Sequence, residues 1–96
     1  MKIQKINLYD NRVEASVKLR GVLEKKLEEQ GFKLDNAKPD LVIAVGGDGC
    51  FLNMIKWYQF NSDIIYVGVN TGNLGFLQEV KKDDLDKFIQ VIKRSS

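Results

Sequence analysis

Residues 41 to 50 constrain this chain more than any other stretch: Leu-Val-Ile-Ala-Val-Gly-Gly-Asp-Gly-Cys. Five apolar residues run without a polar interruption into Gly46, Gly47, Asp48 and Gly49. A strand with one wet face alternates apolar and polar residues; an unbroken apolar run predicts a strand covered on both faces. In open parallel α/β sheets, ligands bind beyond the carboxyl ends of the strands. The glycines and the single carboxylate after this strand therefore mark a candidate site as well as a fold.

The flanking sequence fits the same architecture. Ile3, Ile6, Leu8 and Tyr9 predict a first strand over 2–9, closed by Asp10-Asn11. Asn11 and Glu14 resemble a capping box, which opens a helix running to about Gln30. Leu19, Leu23 and Leu27 form its buried stripe, flanked by Val13, Val17 and Val22, and Gly31 ends it. Phe32 to Leu34 reads as a short strand and Asn36 to Pro39 as a turn. After the glycines, Phe51, Leu52, Ile55 and Tyr58 recur at helical spacing, so a helix begins inside or just after the glycine loop, with its first turn near Cys50 to Leu52; Asn61-Ser62-Asp63 ends that helix. Trp57, Tyr58 and Phe60 are expected in a core or an interface. Ile64 to Val69 is a further strand, adjacent to Leu41–Val45. Asn70-Thr71-Gly72-Asn73-Leu74-Gly75-Phe76-Leu77 is a second glycine-rich loop. Asp83 or Asp84 caps a last helix bearing Leu85, Phe88, Ile89 and Ile92 on one face. The order strand, helix, strand, strand, helix, strand, loop, helix predicts an α/β fold: an open, mainly parallel sheet in three layers, with helices on both faces and right-handed crossovers. The 96 residues show no internal repeat and no linker, and are expected to form a single α/β domain over 1–96.

Composition excludes several function classes. A net charge of +2 with dispersed lysines supports neither nucleic acid nor an anionic membrane as partner. No apolar stretch reaches the length of a membrane span. The single cysteine, Cys50, has no intramolecular partner, so a reducing cytoplasm is the expected compartment. The absence of histidine removes histidine acid–base catalysis and histidine metal sites from consideration.

The first loop has a specific chemistry. Glycines let backbone N–H groups approach an anion, and the start of the following helix adds a positive dipole end. Both suit a phosphate. A carboxylate beside a phosphate is repelled unless it serves a purpose: Asp48 either holds Mg²⁺ or takes a proton from a hydroxyl that attacks phosphorus. The plainer alternative is a tight turn with Asp48 as a turn or capping residue. The second loop weighs against that alternative. Neither the P-loop nor the G-x-G-x-x-G dinucleotide fingerprint is present. Asn70 either binds a ribose hydroxyl or closes the turn; Phe76 either stacks on a base or belongs to the core. Cys50 lies where a helix dipole would lower a thiol pKa, but with no partner for catalysis it reads as a small packing residue.

Gly46-Gly47-Asp48-Gly49-Cys50-Phe51-Leu52 and Asn70 to Leu77 together resemble the two motifs of the NAD kinase family. Diacylglycerol and sphingosine kinases share the first motif, whereas the second is much more specific. The resemblance covers nearly the whole chain and implies the family's amino-terminal domain fold, related to that of diacylglycerol kinases. It implies phosphoryl transfer from ATP or polyphosphate to the adenosine-ribose 2′-hydroxyl of NAD, with Mg²⁺ accompanying the donor. Asp48 would be the base; Gly46, Gly47 and Gly49 would leave room for phosphates; Leu74 and Phe76 would line the adenosine end. Cys50, Phe51, Asn70 and Gly75, at motif positions, complete the implied nucleotide-binding set. Cys50 replaces the usual Thr and removes a hydroxyl from the loop. The family's later Asn-Glu or Asn-Asp motif and β-rich second domain are not in these 96 residues. The expectation is the amino-terminal part of a longer kinase, dimeric or tetrameric when whole and weakly active or inactive as this piece. A non-catalytic nucleotide-binding module, a lipid-kinase-type catalytic domain and a purely structural α/β domain are the competing expectations.

Overall fold

The computed structural model describes residues 3–70, 79–81 and 85–94. Their elements are β1 (Lys5–Asp10), α1 (Glu14–Glu29), β2 (Lys33–Leu34), β3 (Leu41–Gly46), α2 (Asp48–Trp57), β4 (Ile65–Asn70), β5 (Glu79–Lys81) and α3 (Leu85–Arg94). The strands form one sheet in the order β2-β1-β3-β4-β5, and every pairing is parallel. This is the α/β sheet that the sequence predicts.

β3 occupies the centre, and all six of its residues are buried. Its side chains alternate between two cores. Leu41, Ile43 and Val45 join the cluster built with α1 and α3, which includes Leu19, Leu23, Leu27, Leu85, Ile89 and Ile92. Val42 and Ala44 face the other way, against Cys50 and Met54 of α2. Helices thus cover both faces, and the unbroken apolar run of β3 is the consequence.

Local chemistry sets the helix ends. At the carboxyl end of α1, Gly31 adopts φ 92°; its N–H donates to Glu28 O (3.0 Å) and the Phe32 N–H to Leu27 O (3.1 Å). This is a Schellman motif, and Phe32 and Leu27 share the core beneath it. α2 ends the same way, with Gln59 and Phe60 at φ 55° and 56°, and the Phe60 N–H on Ile55 O. Asp40 ties the sheet together before β3 begins: its carboxylate accepts from the backbone N–H groups of Gln4 (2.9 Å) and Lys5 (3.0 Å).

Three expectations need correction. Asn11 does not cap α1: Val13 is the N-cap, and no side-chain hydrogen bond closes it. The Asn11 carboxamide instead turns back to accept from the Val13 N–H (3.1 Å), and Asp10 likewise accepts from the Arg12 N–H (2.7 Å), with Arg12 at φ 65°. Two such side-chain turns hold the chain out of helix for longer than a capping box would. The second correction is β5, which falls in the span read as loop and helix cap; three residues flanked by charge carry no strand periodicity, and the edge of β4 supplies the pairing. The valines that flank the stripe of α1 are half exposed (Val13 54%, Val17 49%, Val22 47%), as flanking positions are. Finally, α2 buries Met54 rather than Leu52, and Trp57 and Phe60, 70% and 69% exposed, lie outside the core, which leaves the interface alternative of their reading. The cap expected at Asp83 or Asp84 lies outside the described residues.

Candidate functional site

β1, β3 and β4 lie side by side and point the same way, so the chain leaves all three at one edge of the sheet. Register brings the two motifs together: Gly46 and Asn70 are direct partners across β3 and β4. The first residue of each glycine-rich loop therefore stands beside the other at the lip of the sheet. The rest of the second loop, including Leu74, Gly75 and Phe76, lies outside the described residues.

The sheet order places a crevice here as well. From β1 the chain crosses to β2 on one side; from β3 it crosses to β4 on the other. Such a reversal opens a gap beyond the carboxyl ends of the two central strands, here β1 and β3. The loop entering α2 borders that gap.

α2 begins inside the glycine loop, at Asp48, within the bounds that the apolar spacing predicts and ahead of Cys50 to Leu52. Gly47 is its N-cap, and the first helical bond runs from the Phe51 N–H to Gly47 O (3.1 Å). The backbone N–H groups of Asp48, Gly49 and Cys50 precede that bond and have no carbonyl within the helix. Gly47 has no side chain with which to cap them. Three donors and the positive end of the helix dipole thus converge on the lip of the sheet, a setting suited to an anion.

The three glycines have different reasons for being there. A Cβ on Gly46 would lie 2.9 Å from both Asn11 Nδ2 and Cys50 Cβ, so the fold itself requires glycine. A Cβ on Gly47 or Gly49 would meet nothing within 4 Å. Nothing inside the described structure demands glycine at those two positions. Without side chains there, the backbone N–H groups are open to approach from outside.

Cys50 turns away from the loop. It is 6% exposed, and its thiol faces Val45 O (3.5 Å) and Tyr9 O (3.8 Å), at the ends of β3 and β1. Burial, then the Asp10 charge, pushes the thiol pKa up, opposite to the activation that a helix start by itself suggests. The side chain is a packing residue, as the sequence suggests. Phe51 is half-buried and packs against the α2 core.

Sequence reasoning missed the turn between β1 and α1, which reaches the same edge. Asp10 pairs with Arg20 (3.0 Å). Burial works to raise the Asp10 pKa, but the Arg20 hydrogen bond, the Arg12 N–H and both arginine charges outweigh it and hold the carboxyl below its ordinary value. The only signal was Asp10-Asn11-Arg12 at a strand end, and turn residues there have a structural explanation of their own. Further down β1, a cleft of about 540 Å³ runs past Asn7, Asp10, Arg12, Arg20 and Trp57. Among the described residues no three acidic, cysteine or histidine side chains gather as a metal site, and Asp10 is already committed to its arginine. Mg²⁺ commonly binds through one or two carboxylates plus the phosphates of its nucleotide. The residues present suit a metal that arrives with a phosphoryl donor.

Comparison with known proteins agrees with the geometry. Residues 2–95 match the family described as ATP-NAD kinase N-terminal domain. The NAD kinase of Finegoldia magna is 42% identical over 87 residues, 88% of this chain and 32% of that protein. The NAD kinase of Streptococcus gordonii is 37% identical over 91 residues, covering 94% and 33%. That of Lactococcus lactis subsp. cremoris SK11 is 34% identical over 90 residues, covering 93% and 33%. The chain therefore spans about a third of the length of these relatives. No helix among the described residues is long and apolar enough to cross a membrane. With its sheet order, the pairing of Gly46 with Asn70 and the family match, the chain belongs to the ATP-NAD kinase N-terminal domain family, a family of kinase enzymes.

Proposed function

We propose that residues 1–96 form one α/β domain that supplies the amino-terminal half of an NAD kinase site. The observation that carries this is the pairing of Gly46 with Asn70, beside a helix start whose glycines have open space around them. The backbone N–H groups of Asp48, Gly49 and Cys50 bind phosphate oxygens. Gly46, Gly47 and Gly49 keep side chains out of that space. Asp48 takes the proton from the adenosine-ribose 2′-hydroxyl of NAD as that oxygen bonds to the terminal phosphorus of ATP. The bond from that phosphorus to the bridging oxygen breaks, and NADP and ADP result. Polyphosphate serves in place of ATP by the same displacement. Mg²⁺, held by the donor phosphates, neutralises their charge when bound. Phe51, Asn70, Leu74, Gly75 and Phe76 bind the nucleoside portions. The inward Cys50 thiol bears on loop position and not on donor choice.

Since the chain spans about a third of its relatives' length, it binds nucleotide but transfers phosphate weakly or not at all alone. The longer protein is a cytoplasmic dimer or tetramer whose partners are nucleotides, with no part for nucleic acid or membrane. A version extended to the relatives' length is expected to form NADP from NAD and ATP. Its Asp48→Asn variant is expected to lose about 10²- to 10⁴-fold in kcat, followed by NADP formation; full activity in that variant would overturn the role of Asp48.

A further inference from the structure

The crevice between β1 and β3 has two banks, and the family motifs account for one. The other is the turn that leaves β1. Here Asn11 is fixed by its own backbone: its Oδ1 accepts from the Val13 N–H (3.1 Å). A planar carboxamide held by its oxygen presents its NH₂ in the opposite direction. That NH₂ lies against Gly46, 2.9 Å from where a Cβ would stand. Asn11 itself is exposed. An oriented donor on an exposed residue thus sits against Gly46, at the start of the loop that presents Asp48, Gly49 and Cys50 N–H groups.

We propose that the Asn11 side-chain amide is a ligand for the phosphate group seated at Gly46–Gly49, making the β1–α1 turn a third wall of the site. This rests on the reading of that loop as a phosphate site and extends it to a residue outside both motifs. It gives Gly46 a second purpose. Any side chain there would push Asn11 and Cys50 away, displacing a ligand group as well as straining the fold. Arg12 is the natural contrast. It is next in sequence and positively charged, but it lines the cleft along β1 with Asp10, Arg20 and Trp57. Arg12 contributes only a long-range field.

The test is titration of the 96-residue chain with pyrophosphate by calorimetry, beside thermal unfolding of each variant. Asn11→Ser keeps an acceptor for Val13 and removes the NH₂; affinity is expected to fall about tenfold, as for loss of one hydrogen bond to a charged group. Asn11→Asp keeps the shape and the acceptor but places a negative charge on the ligand, so its affinity falls further. Added salt narrows the gap between these two variants, which a purely structural role of Asn11 would not produce. Arg12→Gln is expected to weaken binding less than about threefold at moderate salt. Wild-type affinity in Asn11→Ser and Asn11→Asp would overturn the inference, as would an Arg12→Gln loss equal to that of Asn11→Asp. If Asn11→Asp fails to fold, the Asn11→Ser result decides. Absence of pyrophosphate binding by the unaltered chain would overturn this inference and the phosphate reading of the loop together. Binding that survives both Asn11 substitutions would overturn this inference alone.

Discussion

The two faces of the sheet are built unequally. Among the described residues, fourteen buried apolar side chains form one cluster on the α1 and α3 face, reaching from Ile3 to Ile92. On the α2 face the described residues supply four: Val42, Ala44, Cys50 and Met54. The first face is fastened at its margins too, by Lys26–Asp86 (2.7 Å) and Lys93–Gln30 (2.9 Å) between α1 or its cap and α3. The second leaves Trp57 and Phe60 largely exposed and joins β1 to α2 through the Asn7–Tyr58 hydrogen bond. One face supplies stability. The other carries the helix whose first turn forms the candidate site, with a thin core behind it. A site that must admit and release a ligand is better placed on the element that moves at lower cost.

That contrast can be broken first in the cores. Leu23→Ala empties a fully buried position on the thick face and is expected to cost about 3–5 kcal/mol; Met54→Ala on the thin face should cost nearer 2 kcal/mol, because exposed neighbours can collapse into the space. Urea unfolding of both variants measures the difference, and equal losses would show that the faces are equally packed. Next in size is the seam between the faces. Gly46→Ala forces a methyl group against Asn11 and Cys50 and is expected to destabilise by about 1–3 kcal/mol. Gly49→Ala meets open space, so its unfolding midpoint should stay at or above that of the unaltered chain while pyrophosphate affinity falls. A Gly49→Ala protein with intact affinity would deny that the open space is reserved for a ligand.

The smallest effect concerns pH. The two backbone N–H bonds from Lys5 and Gln4, in that order, lower the Asp40 pKa. A lowered carboxyl stabilises the fold above its ordinary value of about 3.9 and withdraws that support as pH falls through the folded-state value. Stability is therefore expected to decline below about pH 4. Asp40→Asn should show a shallower decline in thermal midpoint. Asp10 and Asp35, lowered in the same direction by their own partners, should leave a residual slope.

The fold was legible where physics is local. Leu19, Leu23 and Leu27 at four-residue spacing, the Gly31 stop, and Leu85, Ile89 and Ile92 all lie where their periodicity predicts. The apolar run Leu41 to Val45 announced burial on both faces before any partner was known. The errors and the open points also have local causes. The apolar spacing after Cys50 bounded the helix start only loosely, because the first turn is made of glycine and aspartate and carries no hydrophobic signal. For Trp57 and Phe60 the sequence left core and interface open, because size and apolarity say nothing about whether a neighbour is present; their exposure removes the core. Asn11 looked like a cap because capping and Asx turns use the same atoms of the same residue.

By itself the sequence determined the α/β class, the central strand, both glycine-rich loops and the family that they mark, because periodicity, glycine placement and motif spacing are properties of neighbouring residues. Only the tertiary structure decided that Gly46 stands beside Asn70, that Cys50 faces inward, and that Asn11 lies over Gly46. Those three facts join residues 24, 41 and 35 positions apart, and parallel pairing of β1, β3 and β4 is what brings them together. Register between distant strands is set by how the whole core packs, and no short stretch of sequence contains it.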